Sequence, residues 1–327
     1  MPSSARKARR CVAAAVAACA LSLTACGGDD AGSGTGDAAE SPLVRISVGV
    51  DPAYTPMFVA QEEGLFEQAG LNVELVQTEG GAAGAQNVSA GVTEMSGNAD
   101  STALTVMATN PDVRALGVFQ ESGRYLKVVL REGITDPSQI TRMATAQGLL
   151  LFATERYLES EGLSSETVEL VSVAPPEMPS LLAQGEVDGY VLFEPWAARG
   201  VANGGKVVAT TGDYGVTYVQ WIIANAEWLA DNQELAAEVF RVIADASAIV
   251  NDEPARAAEA VEAVIKLPAD EARRILPEID FETRDLTPAD VEQAETIVSF
   301  FQERDAIDGP VDLDTVMLDG WYEEHVG

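Results

Sequence analysis

Few positions of this 327-residue chain carry side chains that perform covalent or metal chemistry. The only cysteines are Cys11, Cys19 and Cys26, and the single histidine, His325, lies close to the C-terminus. Nucleophilic triads, Cys–His pairs and His/Cys zinc sites all need residues that the rest of the chain does not supply. The composition leaves carboxylate chemistry or no chemistry, and we expect no catalytic residue, no metal and no cofactor.

The charge balance narrows the possible partners. The chain has 52 acidic and 20 basic residues, which gives a net charge of −32. Such a surface repels nucleic acid, so we expect no nucleic-acid partner. A small anionic ligand is not excluded, because charges more than about 8 Å away are largely screened. We interpret the excess of acid as a contribution to solubility.

The N-terminus has the pattern of an export signal. The basic segment Arg6–Arg10 precedes the apolar run Cys11–Leu21, which is shorter than the roughly 20 residues that a membrane-spanning helix needs. The following Leu23-Thr-Ala-Cys26 resembles the bacterial lipobox, which implies removal of residues 1–25 and lipidation of Cys26. An ordinary secretory signal with an incidental Cys26 is the alternative.

The next segment is polar and rich in glycine, so we predict a flexible tether over residues 26–42. Together with lipidation of Cys26, it would hold a folded domain on the outer face of the cytoplasmic membrane. From residue 43 onward, short apolar runs alternate with helical patterns, which is typical of an α/β protein. The pattern predicts the strands Val44–Val50, Asn72–Val76 and Glu94–Gly97, and the helices Pro56–Gln68 and Ala82–Ala90.

The chain repeats part of this pattern. Ala69–Val76 is echoed by Glu161–Val171, since in each a helix ends at Gly-Leu and a strand containing Val-Glu-Leu-Val follows. Likewise, Ser89–Glu94 matches Ala183–Asp188, where a glycine ends a helix and an acidic residue opens the next strand. Two echoes in the same order predict two lobes built on one plan.

Two polar, glycine-containing segments, Phe119–Arg124 and Thr210–Gly215, are candidates for crossings between the lobes. We therefore predict that the first lobe covers residues 43–121, the second lobe 122–211, and a return to the first lobe 212–327. The return begins with an apolar strand and continues mainly as helices. The predicted elements are the strand Tyr218–Ala224, the helices Gln233–Val250 and Pro254–Ile265, and a helix capped by Thr287.

A series of motifs resembles the ABC-importer substrate-binding proteins of the nitrate, sulfonate, taurine and pyrimidine-precursor group. The resemblance covers about residues 44–318 in unbroken order. The motifs that carry it are Gly49–Leu75, Gly80-Gly-Ala-Ala83, Gly185-Glu-Val-Asp-Gly189, Glu194-Pro-Trp-Ala197, Leu286-Thr-Pro-Ala-Asp290 and Pro310-Val-Asp-Leu-Asp314.

This resemblance implies a type II periplasmic-binding-protein-like fold, with two α/β lobes, two hinge crossings and C-terminal helices packed on the first lobe. It implies a binding protein that closes on a small solute and delivers it to ABC permease and ATPase subunits. The group favours a sulfonate, taurine or nitrate as the solute, and a pyrimidine or thiamine-precursor-like heterocycle is the alternative. An enzyme of the same two-lobe fold and a surface-anchored interaction module are the rival functions.

In the first lobe, the candidate ligand contacts follow the ends of strands. Asp51 and Tyr54 follow the first strand, where the family places contacts, and packing at the lobe edge is the alternative for Tyr54. Gly80, Gly81 and Ala82 open a helix, so their N–H groups could bind an anionic oxygen, unless they form only a tight turn.

Three further candidates, Asn98, Asp100 and Ser101, follow the third strand and could hydrogen-bond a polar ligand group. Ser101 could instead be the N-cap of a helix that begins near Ala103.

In the second lobe, the family has a polar Gly-Ser/Thr turn where this chain has Gly148-Leu-Leu-Leu-Phe152. The departure removes hydroxyl donors that an anion would use. We interpret the leucines as core, and Phe152 as core or as an apolar wall of the site.

The segment Glu194-Pro-Trp196 matches a family motif at the cleft. Glu194 could accept from an amine or ring N–H, and Trp196 could stack on a planar body. A buried Glu194 that caps a backbone turn is the alternative. We interpret Trp221 as core and Arg124 as a surface arginine rather than a contact for an anion.

Overall fold

The computed structural model describes residues 41–327. The predicted signal peptide, the lipidation site Cys26 and residues 26–40 of the predicted tether lie outside this range. No helix within the described range has the combination of length and apolar character that crossing a bilayer demands.

Ten strands form two five-stranded sheets with the same plan. The strands are β1 (Leu43–Gly49), β2 (Asn72–Thr78), β3 (Met95–Ala99), β4 (Val113–Ser122), β5 (Lys127–Arg131), β6 (Arg142–Thr145), β7 (Glu169–Ser172), β8 (Gly189–Leu192), β9 (Gly205–Thr210) and β10 (Tyr218–Asn225). The strand orders are β2-β1-β3-β10-β4 and β7-β6-β8-β5-β9. In each sheet three neighbouring strands are parallel, and a fourth strand, β10 or β5, pairs antiparallel with the third of them. This fourth strand is the first one that the chain forms after it crosses between the sheets.

Fourteen helices are described. They are α1 (Thr55–Glu62), α2 (Leu65–Gln68), α3 (Gly81–Ser89), α4 (Asp100–Met107), α5 (Leu149–Ser160), α6 (Met178–Gln184), α7 (Trp196–Ala202), α8 (Ala226–Asp231), α9 (Gln233–Asp252), α10 (Pro254–Ile265), α11 (Ala269–Ile275), α12 (Pro288–Gln302), α13 (Leu313–Val316) and α14 (Trp321–His325). The C-terminal helices pack on the first lobe, with α9 and α10 against α1 and α12 against α4.

The topology confirms that the two sequence echoes mark equivalent positions. Each lobe contains β–α–β–α–β with the strand order second-first-third. The acidic residue directly before the third strand makes the same contact in both copies, because it accepts a hydrogen bond from the backbone at the start of the first strand. Glu94 accepts from the backbone N–H of Arg45 at 2.7 Å, and Asp188 accepts from the backbone N–H of Thr141 at 2.8 Å. These bonds align the outer ends of the strands, so the opposite ends, where the loops face the other lobe, lie at a common edge.

The chain passes from the first sheet to the second between Ser122 and Lys127, and it returns between Thr210 and Tyr218. The two crossings lie side by side, because Gly212 donates its backbone N–H to the carbonyl of Gly123 at 2.7 Å. This pair of adjacent connections is the two-strand hinge that the family resemblance implies.

The predicted strands and helices begin and end within two residues of the observed ones, apart from one helix, and one alternative for a helix cap is not observed. The predicted helix Pro56–Gln68 is divided into α1 and α2, because Gly64 takes a left-handed conformation with φ of 66°. The predicted N-cap role of Ser101 is wrong, since α4 begins at Asp100 and Ser101 lies inside its first turn. The capping of α12 by Thr287 is confirmed, and its side chain and that of Asp290 cap each other's backbone.

Candidate functional site

A cavity of about 260 Å³ lies between the two lobes, and twenty residues line it. The first lobe contributes the loops after β1, β2 and β3, the second contributes the N-terminus of α5 and the segment around α7, and β10 crosses the base. A larger hollow of about 720 Å³ lies on the second lobe around Arg131 and Lys206, but only that lobe lines it. The interlobe cavity is therefore the candidate site.

Five of the predicted first-lobe residues, namely Asp51, Tyr54, Gly80, Gly81 and Ala82, line this cavity. Asp51 caps the turn after β1 and is nearly buried. Its Oδ1 accepts from the Ala53 backbone N–H and from the Tyr125 hydroxyl, both at 2.9 Å. Burial raises the pKa of Asp51 to about 6 despite these two hydrogen bonds.

The loop Gly80–Ala82 begins α3, so its first backbone N–H groups have no partner within the helix. Asn98 holds this loop in place, since its Nδ2 donates to the carbonyl of Gly81 at 2.8 Å. A helix N-terminus at the cavity wall favours negative charge near it.

The other three first-lobe candidates, Asn98, Asp100 and Ser101, lie behind the cavity wall and do not line it. All three are buried. Asp100 accepts from the backbone N–H of Ser101 and from the side chain of Gln293 on α12. Burial raises the pKa of Asp100 to about 7. These residues connect the loop before α3 and the start of α4 to the rest of the lobe.

The second lobe presents α5 to the cavity in a way that the sequence does not predict. Leu149 and Leu150 line the cavity, whereas Phe152 does not. Phe152 packs edge-to-face on Phe300 of α12, with ring centroids 5.0 Å apart. The expected apolar wall therefore comes from the leucines, because they lie in the first turn that faces the cleft.

Gly148, directly before α5, lies against the first lobe. Its φ is 72°, and a Cβ added there would lie 2.5 Å from Oγ1 of Thr102. Glycine is thus required for the backbone conformation and for the close approach of the two lobes.

Glu194 lies next to the cavity but does not line it. Its Oε1 accepts from Lys127 Nζ at 2.7 Å, and its Oε2 accepts from the backbone N–H of Ala198 at 2.8 Å. Lys127 is also bound by Glu278 at 2.7 Å. Burial alone would lower the pKa of Lys127, but these two carboxylates outweigh it and raise the pKa. Glu194 therefore caps a turn, which is the alternative interpretation of this residue. Trp196, in contrast, lines the cavity.

The charged groups on the cavity wall are both acidic. Asp51 and Glu79 line it, and none of the lining residues of the described chain is Lys, Arg or His. Arg124 lies away from the cavity, where it donates to the carbonyl of Pro277 and is exposed. Within residues 41–327, no group of His, Cys, Asp or Glu is arranged to hold a metal ion.

Comparison with known proteins now identifies the family. A family model described as the NMT1-like family matches residues 37–265. The chain belongs to the NMT1-like family. A putative aliphatic sulfonates-binding protein of Bacillus subtilis is 22% identical over 200 residues, which cover 58% of this chain. The chain spans 59% of the length of that curated relative.

Solved structures show the same fold. The periplasmic aliphatic sulphonate binding protein SsuA of Escherichia coli matches with a TM-score of 0.75 and 17% identity, over 84% of this chain and 92% of that one. The periplasmic nitrate-binding protein NrtA of Synechocystis matches with a TM-score of 0.72 and 13% identity, over 88% of each chain.

Sequence reasoning predicted six of the twenty lining residues of this NMT1-like chain, and the ones it missed include Tyr218 and Gln220 on β10. Gln220 is 1% exposed and donates to the Tyr218 hydroxyl, and its Oε1 has no hydrogen-bond partner among residues 41–327. A glutamine within the apolar run Tyr218–Ala224 was the available signal. Trp221, next to it, is buried in the core as interpreted.

Proposed function

We propose that this chain is the extracytoplasmic solute-binding component of an ABC importer, which captures a small solute by closure of its lobes. The observation that carries the proposal is the cavity whose wall is shared by both lobes and β10. A solute in it contacts both lobes only when they are closed, so binding favours the closed state. That state is what a permease and its ATPase subunits would recognise.

The names of the relatives support a sulfonate or nitrate as the solute, and the family resemblance adds taurine, itself a sulfonate. The N-termini of α3 and α5 on the cavity wall are suited to an anionic group. The aromatic side chains and the two acids support the alternative, a heterocycle of the pyrimidine type. The export signal and lipidation of Cys26 complete the proposal, since both place the domain outside the cytoplasmic membrane.

A cavity-filling variant tests the proposal. Ala82 is exposed in the first turn of α3 and lines the cavity, whereas its exposed neighbour Ala83 does not. We expect some solute of a panel of taurine, alkanesulfonates, nitrate, aminopyrimidines and organic amines to raise the melting temperature of the domain. At about 100 times its dissociation constant a ligand adds about 2.7 kcal/mol. The shift should vanish in Ala82→Trp and persist in Ala83→Trp.

The outcome also separates a carrier from an enzyme. A carrier returns the bound solute unchanged, as mass spectrometry of the recovered solute would show. Conversion of a panel compound by the wild-type domain, or stabilisation that Ala82→Trp leaves intact, would contradict the proposal.

A further inference from the structure

We infer that the solute is an organic ammonium ion with a flat apolar body, held at its charged end by Asp51 and Gln220. The inference rests on the proposed function, because it assigns a ligand class to the same interlobe cavity. It departs from the sulfonates and nitrate in the names of the relatives.

The first observation is the carboxylate of Asp51. Its Oδ1 already accepts two hydrogen bonds, from Ala53 and Tyr125, while no residue of the described chain donates to Oδ2. The residue lines the cavity, as does Gly49, where an added Cβ would lie 3.2 Å from Oδ2. One carboxylate oxygen is thus free to accept a hydrogen bond from a ligand. A buried carboxylate without a cationic partner is costly, and a ligand cation would offset that cost.

The second observation is the amide of Gln220. It lies at the base of the cavity, and its Oε1 is buried without a partner among residues 41–327. Buried acceptors are almost always paired in folded proteins. An unpaired acceptor on the same cavity wall as an unpaired carboxylate oxygen matches a ligand that carries several N–H donors.

The third observation is the absence of positive charge on the cavity wall. Among the lining residues of the described chain, the charged ones are Asp51 and Glu79. Lys127, a half-buried cation, is bound by both Glu194 and Glu278 and does not line the cavity. The α3 N-terminus, which would favour an anion, is preceded by Glu79, whose negative charge already lies there.

The fourth observation is the aromatic content of the walls. Tyr54, Phe193, Trp196 and Tyr218 line the cavity and come from both lobes and β10. The indole and phenyl rings can contact a flat apolar body, and their faces attract a cation that lies close to them. Leu149 and Leu150 close the wall on the side of α5.

Three probes that carry the same phenyl ring but differ in charge test the inference. Benzylamine is a cation at neutral pH, benzyl alcohol is neutral and benzenesulfonate is an anion. We expect calorimetry of the wild-type domain at pH 7.5 to give tighter binding for benzylamine than for the other two. Binding of benzylamine should be lost in Ala82→Trp and kept in Ala83→Trp.

The matched variants are Asp51→Asn and Glu79→Gln, since each neutralises one of the two lining acids. Asparagine keeps an oxygen for Ala53 and Tyr125, so the fold should be retained, and thermal unfolding checks this. We expect Asp51→Asn to weaken benzylamine binding about tenfold or more and to leave benzyl alcohol unchanged. Glu79→Gln should weaken benzylamine binding less than Asp51→Asn does and leave benzyl alcohol unchanged, because Glu79 is exposed and its charge is screened by solvent.

The possible failures are distinct. If benzenesulfonate or nitrate binds more tightly than benzylamine, and Ala82→Trp abolishes that binding, the inference is wrong and the proposed function stands. Equal effects of Asp51→Asn on benzylamine and benzyl alcohol would also overturn the inference. If no probe and no panel solute binds in a way that Ala82→Trp abolishes, the proposed function itself fails.

Discussion

At the scale of single residues, the buried acids of this chain divide into those with a cationic partner and those without one. Glu194 has Lys127 at 2.7 Å, and Asp290 has Arg284 at 2.6 Å. Asp51 and Asp100 are buried with only neutral donors, and burial raises the pKa of each. In the first group a cation offsets the cost of burying the charge, whereas the second group costs stability when ionised.

Asp100→Asn should therefore stabilise the protein, and the gain should depend on pH. The folded-state pKa of about 7 lies above the unfolded value of 3.8, so the folded state holds this proton more tightly. Stability from Asp100 is present below pH 4 and is lost as pH rises through 7. Asparagine removes the charge, and Gln293 can turn its amide to accept the new donor.

Denaturant unfolding should show a gain of Asp100→Asn over wild type that is near zero at pH 4 and reaches a few kcal/mol at pH 8, at about 1.4 kcal/mol per pKa unit. Asp51 is present in both proteins, so its own titration cancels from the difference. A gain that is the same at both pH values would show that Asp100 is not the titrating group.

At the scale of elements, the N-terminus of α5 is the point at which the second lobe meets the first. Gly148 lies against Thr102, the leucines that follow face the cavity, and Phe152 packs on Phe300. One short turn therefore shapes the cavity and also sets how closely the lobes approach.

Gly148→Ala should weaken solute binding as well as stability. The backbone at Gly148, with φ of 72° and ψ of −131°, is one that residues with a Cβ rarely adopt, at a cost of about 1–3 kcal/mol. The added methyl group would also collide with Thr102 and hold the lobes apart. Gly162→Ala is the matched control, since its φ is 73° and nothing lies within 4 Å of the added Cβ.

We expect Gly148→Ala to lose more stability than Gly162→Ala in thermal unfolding because of the collision, and only Gly148→Ala to lose affinity for a solute identified in the panel, by about tenfold or more. Equal affinity in the two variants would show that the contact with Thr102 does not limit closure.

Sequence could predict the repeat, the crossings and the first-lobe loops. Each depends on glycines that end helices and on apolar runs that form strands, and both signals lie within a few neighbouring residues. The places of Asp51, Tyr54 and Trp196 on the cavity wall could also be predicted, because these residues follow the ends of strands. The partners of Glu194 could not be predicted, since Lys127 and Glu278 lie 67 and 84 residues away from it along the chain. Nor could the direction of Phe152, which depends on the distant helix α12.

At the scale of the whole molecule, α5 of the second lobe and α12 of the first contact each other across the lobes. Arg304, just after α12, binds Glu155 at 3.2 Å and Glu159 at 3.6 Å, and both acids belong to α5. Its guanidinium lies 3.8 Å above the ring of Phe300, which in turn contacts Phe152. This cluster of Arg304, Glu155, Phe152 and Phe300 would have to separate for the cleft to open.

Arg304→Ala should therefore shift the domain toward open forms in the absence of solute. Removing one partner of a partly buried pair leaves Glu155 without its cation in a buried position. We expect small-angle scattering to give a larger radius of gyration for this variant, and a bound solute to reduce it again. Arg156→Ala is the control, because Arg156 pairs only within α5, with Glu159 at 2.6 Å. The same radius in both variants would exclude Arg304 as a closing contact.

The position of β10 has a consequence for the order in which the molecule is completed. This strand lies between β3 and β4, yet it begins at residue 218, while all strands of the second sheet lie within residues 127–210. A ribosome moving from the N-terminus therefore releases every strand of the second sheet before it supplies the strand that joins β4 to the rest of the first. The half of the protein that is synthesised first is the last to be finished.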